Sequence, residues 1–257
     1  MKILKSCVVL ALASFACAAH AQSDSVNWKG FYLGASAGNA SGNSKVKTSV
    51  DFSPTGYFAS SSTPAISASG SGKVKPNGFS GGVDLGYNWQ VGAVVLGAEL
   101  DWNSIGVKKS RSATGVYPCC APTSYTVMEK STIGDMTTLR GRIGYAYGHS
   151  LFYATAGAAQ TRLKMEEQFS DTFATASESF KSSKSKTAAI YGVGYAYGFQ
   201  KNWSIRAEYL HADFGTVSGT SNNLTAFTPP VAFPSNTFTH SSKTNLDLFR
   251  VGVDYRF

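Results

Sequence analysis

Nowhere after residue 21 does this 257-residue sequence hold 18 consecutive apolar residues, so no helix of it crosses a membrane. Cysteine is scarce, with 4 in all, and Cys7 and Cys17 fall in the first apolar stretch. That leaves Cys119 and Cys120 in "YPCCAP". Adjacent cysteines bridge each other or another chain, but they do not staple a fold, and no metal-site spacing accompanies them. Histidine is equally sparse, with 4 residues, which leaves little material for acid–base chemistry. Charged residues make up only 15%, and the lysines lie largely in Ser-rich stretches such as "NSKVKTS" and "KSSKSK", without the arginine–aromatic patch of a nucleic-acid binder.

The N-terminus shows what these absences leave. Lys2 and Lys5 precede an apolar run from Cys7 to Ala19, and Ala19 and Ala21 supply the small residues of a cleavage site. A secretory signal peptide is expected over 1–21, with the mature domain over 22–257. Acylation at Cys17 is disfavoured, because "SFAC" lacks a leucine-like residue three places before the cysteine. Losing Lys2 and Lys5 takes 23 basic residues to 21 against 15 acidic ones, so the net charge falls from +8 to +6. Export with this moderate surplus argues against nucleic acid as a partner and leaves anionic lipid or polysaccharide.

What is abundant is alternation. "FRVGVDYRF" places Phe249, Val251, Val253, Tyr255 and Phe257 on one face and Arg250, Asp254 and Arg256 on the other. The same period of two sets Trp203, Ile205 and Tyr209 against Arg206 and Glu208, and Tyr191, Val193, Tyr195 and Tyr197 against glycine and alanine. It sets Leu139, Ile143 and Tyr145 against Arg140 and Arg142, Leu96, Leu100 and Trp102 against Glu99 and Asp101, and Val83, Leu85 and Trp89 against Asp84. "LFYATAGAAQTRLKM" and "FYLGASAGNA" complete a count of eight, with faces that the pattern does not assign. Tight turns near 90–92, 148–150 and 200–202 alternate with long Ser/Thr/Gly/Asn/Pro-rich loops at roughly 41–76, 109–130, 169–185 and 217–243.

Charge placement decides which way this barrel faces. Asp84, Glu99, Asp101, Glu208 and Asp254 share the glycine-bearing face with Arg140, Arg142, Arg206, Arg250 and Arg256. Each arginine facing lipid near the midplane costs roughly 2–4 kcal/mol, so five of them consume about the whole 5–15 kcal/mol stability of a domain. The charges therefore point inward and the aliphatic and aromatic face outward, the reverse of a soluble barrel. The expected fold is all-β, an eight-stranded antiparallel up-and-down transmembrane β-barrel with four long external loops and three short periplasmic turns. A barrel of this size is filled by its own side chains, so the ten charges are expected to interlock as a lumen network in place of a wide pore.

"NWKGFYLGASAG", "GYNWQVGAVVLGAELDW", "LRGRIGYAYGHSLFYATAGAA", "YGVGYAYGFQKNWSIRAEYLHADFG" and the final "FRVGVDYRF" together resemble the small porin-family outer-membrane proteins of alphaproteobacteria, which include surface antigens and hemin-binding proteins. The resemblance implies an OmpA- or OmpX-like barrel in the cell outer membrane, in contact with lipid and lipopolysaccharide. It also implies that Phe249, Val251, Val253, Tyr255 and Phe257 form an assembly signal read by the barrel-assembly machinery. With nothing after Phe257, no peptidoglycan-binding domain is expected.

The resulting expectation is a structural protein that supports envelope integrity and surface interaction. The alternatives are a narrow porin for small solutes and a hemin-binding or adhesive surface protein. For hemin, His211 and His240 are the candidate ligands, amid loop aromatics that include Phe52, Tyr57, Phe58, Tyr117, Tyr125, Phe173, Phe180, Phe227, Phe233 and Phe238. For catalysis, His149 sits in a short turn, and His211 lies beside Asp213. His240 with Ser241 and Ser242 distantly resembles the His-x-Ser arrangement of outer-membrane lipid A deacylases. A Ser-rich loop produces such neighbours by chance, so no catalytic residues, no metal, no cofactor and no enzymatic activity are expected.

Overall fold

The computed structural model describes residues 25–257, and the expected signal peptide lies outside them. Eight strands form the wall: β1 (Gly30–Val50), β2 (Asn77–Val91), β3 (Val94–Ile105), β4 (Ser124–Tyr147), β5 (Ser150–Asp171), β6 (Ser177–Gly198), β7 (Trp203–Ser221) and β8 (Phe238–Arg256). Each pairs antiparallel with its sequence neighbours, and β1 closes the ring on β8 from Tyr32 opposite Arg256 to Val50 opposite Phe238. Closure leaves no free edge at the apolar level, which lipid demands. At the tight turns Gly92 (φ +59°) and Gly148 (φ +57°) take left-handed conformations that a side chain disfavours.

The strands run well past the apolar segments. On β1 the outward residues pass from Phe31 and Leu33 through Asn39 and Ser41 to Lys45 and Lys47, all in one continuous strand. Residues expected as loops at 41–50, 124–130 and 177–185 are strand, and so are 217–221 and 238–243. Val107–Val116 pairs with Val116 opposite Ser124, prolonging the β3–β4 hairpin. The outer face there meets water and carries Ser, Thr and Lys, so polar residues on both sides erased the alternation on which the reading depended. True connections are residues 51–76, 117–123, 172–176 and 222–237, the first holding helix α1 (Ser62–Ser69) and a short strand, Ser71–Val74.

Outside, the wall carries an apolar belt: Leu139 (63% exposed), Tyr147, Val193, Phe249 and Phe257 (75%) all face away from the lumen. The unassigned strands join it through Phe31 and Leu33, and through Phe152. Inside, the buried residues of β8 read off a series of layers, from Arg256 and Asp254 through Arg250, then Leu248 and Leu246, then Thr244, Ser242 and His240, to Phe238. The lumen is filled layer upon layer.

Candidate functional site

The lowest layers lie at the short-turn end. The Arg256 guanidinium sits 4.5 Å over the Trp28 ring and donates to the Lys201 carbonyl at 3.3 Å. Strand parity groups Arg256 with the other lumen charges, but its contacts place it apart from them. The remaining nine form one network. Glu99 receives Arg140, Arg142, Arg206 (2.9 Å) and Arg250 (3.3 Å). Asp101 pairs with Arg140 (2.6 Å) and Arg250 (3.0 Å), and Glu208 pairs with the same two at 3.0 and 2.6 Å. Arg206 reaches Asp84 and, at 3.5 Å, Asp254.

Several of these pairs are set by register, because Glu99 lies opposite Arg140, and Glu208 opposite Arg250. Glycine makes the room: a Cβ at Gly34 collides with both Asp84 and Asp254. Neutral groups complete the shell, with Tyr32 donating to Glu99 (2.6 Å), Asn103 donating to Asp101 (2.7 Å), and Arg142 lying 4.2 Å over the Tyr153 ring. Arg140, Arg206, Asp101 and Glu208 have fully buried side chains. Buried charges are tolerated where they are paired and hydrogen-bonded, and removing one partner of such a pair costs far more than the pair itself is worth.

Above this layer, Ile105, Ile133, Met136, Leu163, Ile190, Leu210 and Leu248 pack with their neighbours into an apolar core across the lumen. Above that core lies a second polar layer. His240 is buried, and its Nδ1–H donates to Glu167 Oε2 at 2.5 Å, with Thr48 donating to the same oxygen at 2.6 Å. Its Nε2 lies 3.2 Å from Ser221 Oγ and 3.7 Å from Glu178 Oε1, and Ser221 donates to Glu178. Phe180 stacks on the ring at 4.7 Å. Glu129, in the same layer, pairs with Arg111 at 3.0 Å.

Ser221, His240 and Glu167 have the sequence of contacts that a nucleophile, a base and an orienting acid would make. Their protonation works against that chemistry. Burial lowers the affinity of His240 for its proton, but hydrogen bonds to Glu167 and Glu178 outweigh it and raise the pKa to about 9. An imidazolium has no lone pair to accept the serine proton, and the Ser221 hydrogen is committed to Glu178. Burial also pushes Glu129 up to about 7, against the pull of Arg111. Among the described residues no group of His, Cys, Asp and Glu has the geometry of a metal site.

The top layer is aromatic. Phe58, Tyr117, Tyr125, Phe169 and Phe238 are buried together with Ile66 of α1, and Tyr57 and Phe233 pack against them. Tyr57 and Tyr117 donate to one carboxylate oxygen of Asp171 at 2.6 and 2.9 Å. Most aromatics expected to line a surface site are thus packing material, and Phe52, Phe173 and Phe227 are the exposed ones. The two hemin candidates do not meet. His240 faces the lumen, whereas His211 sits outside at the upper edge of the belt, its Nδ1 2.7 Å from Asp247. Ser241 points outward and the buried Ser242 engages Thr244, so neither approaches the His240 ring nitrogens. His149 bonds the Gly198 carbonyl at a tight turn, and Cys119 and Cys120 form a disulfide with each other in the connection between β3 and β4.

Glu129, Glu167, Glu178 and Arg111 were not identified from the sequence. Their parity is hidden where both faces of a strand are polar, and only register with Thr48 and His240 reveals it.

A family described as outer membrane protein beta-barrel domain matches residues 8–257. The chain is 32% identical over 236 residues to the 31 kDa outer-membrane immunogenic protein of Brucella melitensis biotype 1, covering 91% of this chain and 85% of that one. It is 31% identical over 137 residues to the 22 kDa outer membrane protein of Rhizobium leguminosarum bv. viciae, covering 53% of each. Among solved structures it is similar to the outer membrane protease OmpT from Escherichia coli, with a TM-score of 0.47, 10% identity, and 92% of this chain and 99% of that chain covered.

Proposed function

Because the chain belongs to the outer-membrane β-barrel family and resides in the outer membrane, we propose that it is a closed structural barrel that supports envelope integrity and presents an external surface. The observation that carries this reading is the filled lumen. A nine-charge network, an apolar core, a polar layer and an aromatic cap succeed one another along the axis. A conducting path needs charges that water and ions can reach, whereas Arg140 and Glu208 have no exposed side-chain surface. The protein is not an enzyme on this reading, since the Ser221–His240–Glu167 row holds a protonated histidine. The outward row Phe249, Val251, Val253, Tyr255 and Phe257 serves as the assembly signal, and residues 1–21 as the export signal. Relatives named immunogenic support exposure of the long-loop end outside the cell.

The test is planar-bilayer recording of refolded protein. The expected record stays at the lipid baseline. Stable, large conductance steps that appear with every insertion would replace this reading with that of a narrow porin.

A further inference from the structure

Above the apolar belt the outer face of the wall is basic on one side. On β8, β1 and the short strand Ser71–Val74, pairing register sets Lys243, Lys45 and Lys73 side by side in one row. The row above it is Ser241, Lys47 and Ser71. In the row below, Asn245 lies opposite Asn43. The register that places Ser44 opposite Val74 and Ser41 opposite Asn77 puts Lys75 on the other side of Asn43. All five lysines are exposed, while the alternate residues Val46, Val74 and Thr244 are buried toward the lumen. Neighbours across a strand pair stand about 5 Å apart and neighbours along one face about 7 Å, so five lysine stems rise from a patch of roughly 10 by 13 Å. The grid itself holds no carboxylate. Asp213 borders it and reaches Lys243 at 3.4 Å, whereas on the opposite wall the outward Lys130 is matched with Glu166 at 3.2 Å.

Like charges directly opposite each other destabilise a sheet. Lysine on an edge strand keeps sheets from joining, but β8 and β1 are paired on both sides here, so edge protection does not account for the row. Height excludes lipid head groups. Lys45 stands six residues beyond Asn39, where the lipid-facing side of β1 turns polar. That is about 20 Å along the strand and, at a tilt of 35–45°, about 15 Å above the hydrocarbon, past an interfacial zone of roughly 5–8 Å. The serines and asparagines beside the lysines offer hydroxyl and amide partners, and the grid has no aromatic ring on which a nucleic-acid base could stack. It also lacks arginine, whose fork suits carboxylate, and presents point charges alone.

We propose that this lysine grid docks a linear, densely sulfated polysaccharide presented from outside the cell. Sulfate groups meet the row of Lys243, Lys45 and Lys73, with Lys47 and Lys75 above and below it, and sugar hydroxyls meet the flanking serines and asparagines. Five cations in so small a patch call for several anions per sugar repeat, which a sparsely charged glycan lacks. The site rests on the reading that this end of the barrel faces outside the cell, and it is independent of whether the lumen conducts.

The test uses the refolded full-length barrel in a non-ionic detergent, titrated with fluorescently labelled dextran sulfate and with neutral dextran of the same length. Wild type is expected to bind dextran sulfate, to lose affinity steeply between roughly 50 and 500 mM salt, and to ignore neutral dextran. K45Q/K73Q/K243Q is expected to bind on the order of a hundredfold more weakly, about fivefold for each ammonium removed. K29Q/K164Q/K201Q removes the same charge from the short-turn end and the opposite wall, and is expected to stay within about twofold of wild type. Asn43→Ala with Asn245→Ala keeps every lysine and is expected to bind on the order of tenfold more weakly. Polyglutamate and single-stranded DNA at equal charge are expected to bind more weakly than dextran sulfate. No binding of dextran sulfate, equal binding of neutral dextran, or equal losses in the two lysine variants overturns the proposal. So does an unchanged affinity in K45Q/K73Q/K243Q or in the asparagine variant, or a match between dextran sulfate and either other polyanion. Displacement of dextran sulfate by oligosaccharide cleaved from the cell's own lipopolysaccharide overturns it too, since the grid would then serve the membrane's own coat. Removing the lysines relieves like-charge repulsion, so the triple variant is expected to migrate as a folded barrel on unheated gels. If it does not, K45Q alone, expected about fivefold weaker, decides.

Discussion

Two side chains, His240 and Glu129, couple the upper half of this barrel to pH, and His240 sets the upper part of the range. Its proton is held between Glu167 and Glu178, and the pKa stands at about 9 against an ordinary value near 6.5. A group whose folded pKa is raised contributes stability that is complete below the unfolded value and is lost as pH rises through the folded one. Glu129, pushed up to about 7 by burial, acts in the same direction, because the folded state binds its proton more tightly between about 4.5 and 7. The upper half is therefore expected to loosen as pH rises from about 5 to 9, by a few kcal/mol in all. Limited proteolysis of residues 222–237 at stepped pH checks this, with cleavage accelerating toward pH 9. His240→Gln is expected to flatten the upper part of that profile, between about 6.5 and 9. A wild-type rate that does not change with pH would contradict the assignment. At this scale the sequence was readable where a charge stood on an otherwise apolar strand, as with Arg140, Glu208 and Arg250. Arg256 shares their parity but lies at the strand end, where Trp28 and the Lys201 carbonyl reach it before any carboxylate does. His240 was visible only as a histidine among serines, since its carboxylate partners lie 73 and 62 residues away in sequence.

A strand of this protein changes character along its length, and that change set how well each was read. The lower part of β4, with Leu139, Ile143 and Tyr145 outside and Arg140 and Arg142 inside, sits between lipid and a packed lumen, and the two solvents impose the alternation. The upper part, with Thr126, Met128 and Lys130 outside and Tyr125, Val127 and Glu129 inside, sits between water and a packed lumen. There the outer face is free to be polar, and Ser-rich strand looks like loop. The layering also explains why eight strands were countable while their lengths were not. The contrast is measurable on single elements. Leu139→Arg places a guanidinium in the lipid-facing belt and is expected to cost roughly 2–4 kcal/mol in urea unfolding from lipid vesicles. Ser41→Arg, on the outward face of β1 above the belt, is expected to stay within about 0.5 kcal/mol of wild type. Equal costs at the two sites would mean that hydrocarbon does not end where Asn39 places its edge.

Taken as one body, the barrel is closed several times over. The charged layer draws on β2, β3, β4, β7 and β8, while the aromatic cap draws on the long connections, α1 and the strand tips. These sets share almost no side chains, so each layer blocks the axis without the others. Burying nine charges is costly in itself, and hydrophobic residues of similar volume would often serve stability as well. What the network does that an apolar plug cannot is fix strand register: Glu99 opposite Arg140 and Glu208 opposite Arg250 fit in one alignment, and a one-residue slip turns these charges toward lipid. Sealing and register are therefore carried low in the barrel, and the cap is left to shape the exposed end. This assigns different outcomes to cutting the molecule at different heights. Replacing residues 54–70 by a short Gly-Ser linker removes Tyr57, Phe58 and Ile66 from the cap. The shortened barrel is expected to fold and to hold planar bilayers at baseline current, because the apolar core and the charged layer below are untouched. Its remaining loops are expected to become more sensitive to protease, since Asp171 loses the Tyr57 hydroxyl and Phe238 loses Phe58. If the same deletion opened steady conductance steps, the seal would lie in the cap, and the deeper layers would have to be permeable despite their burial.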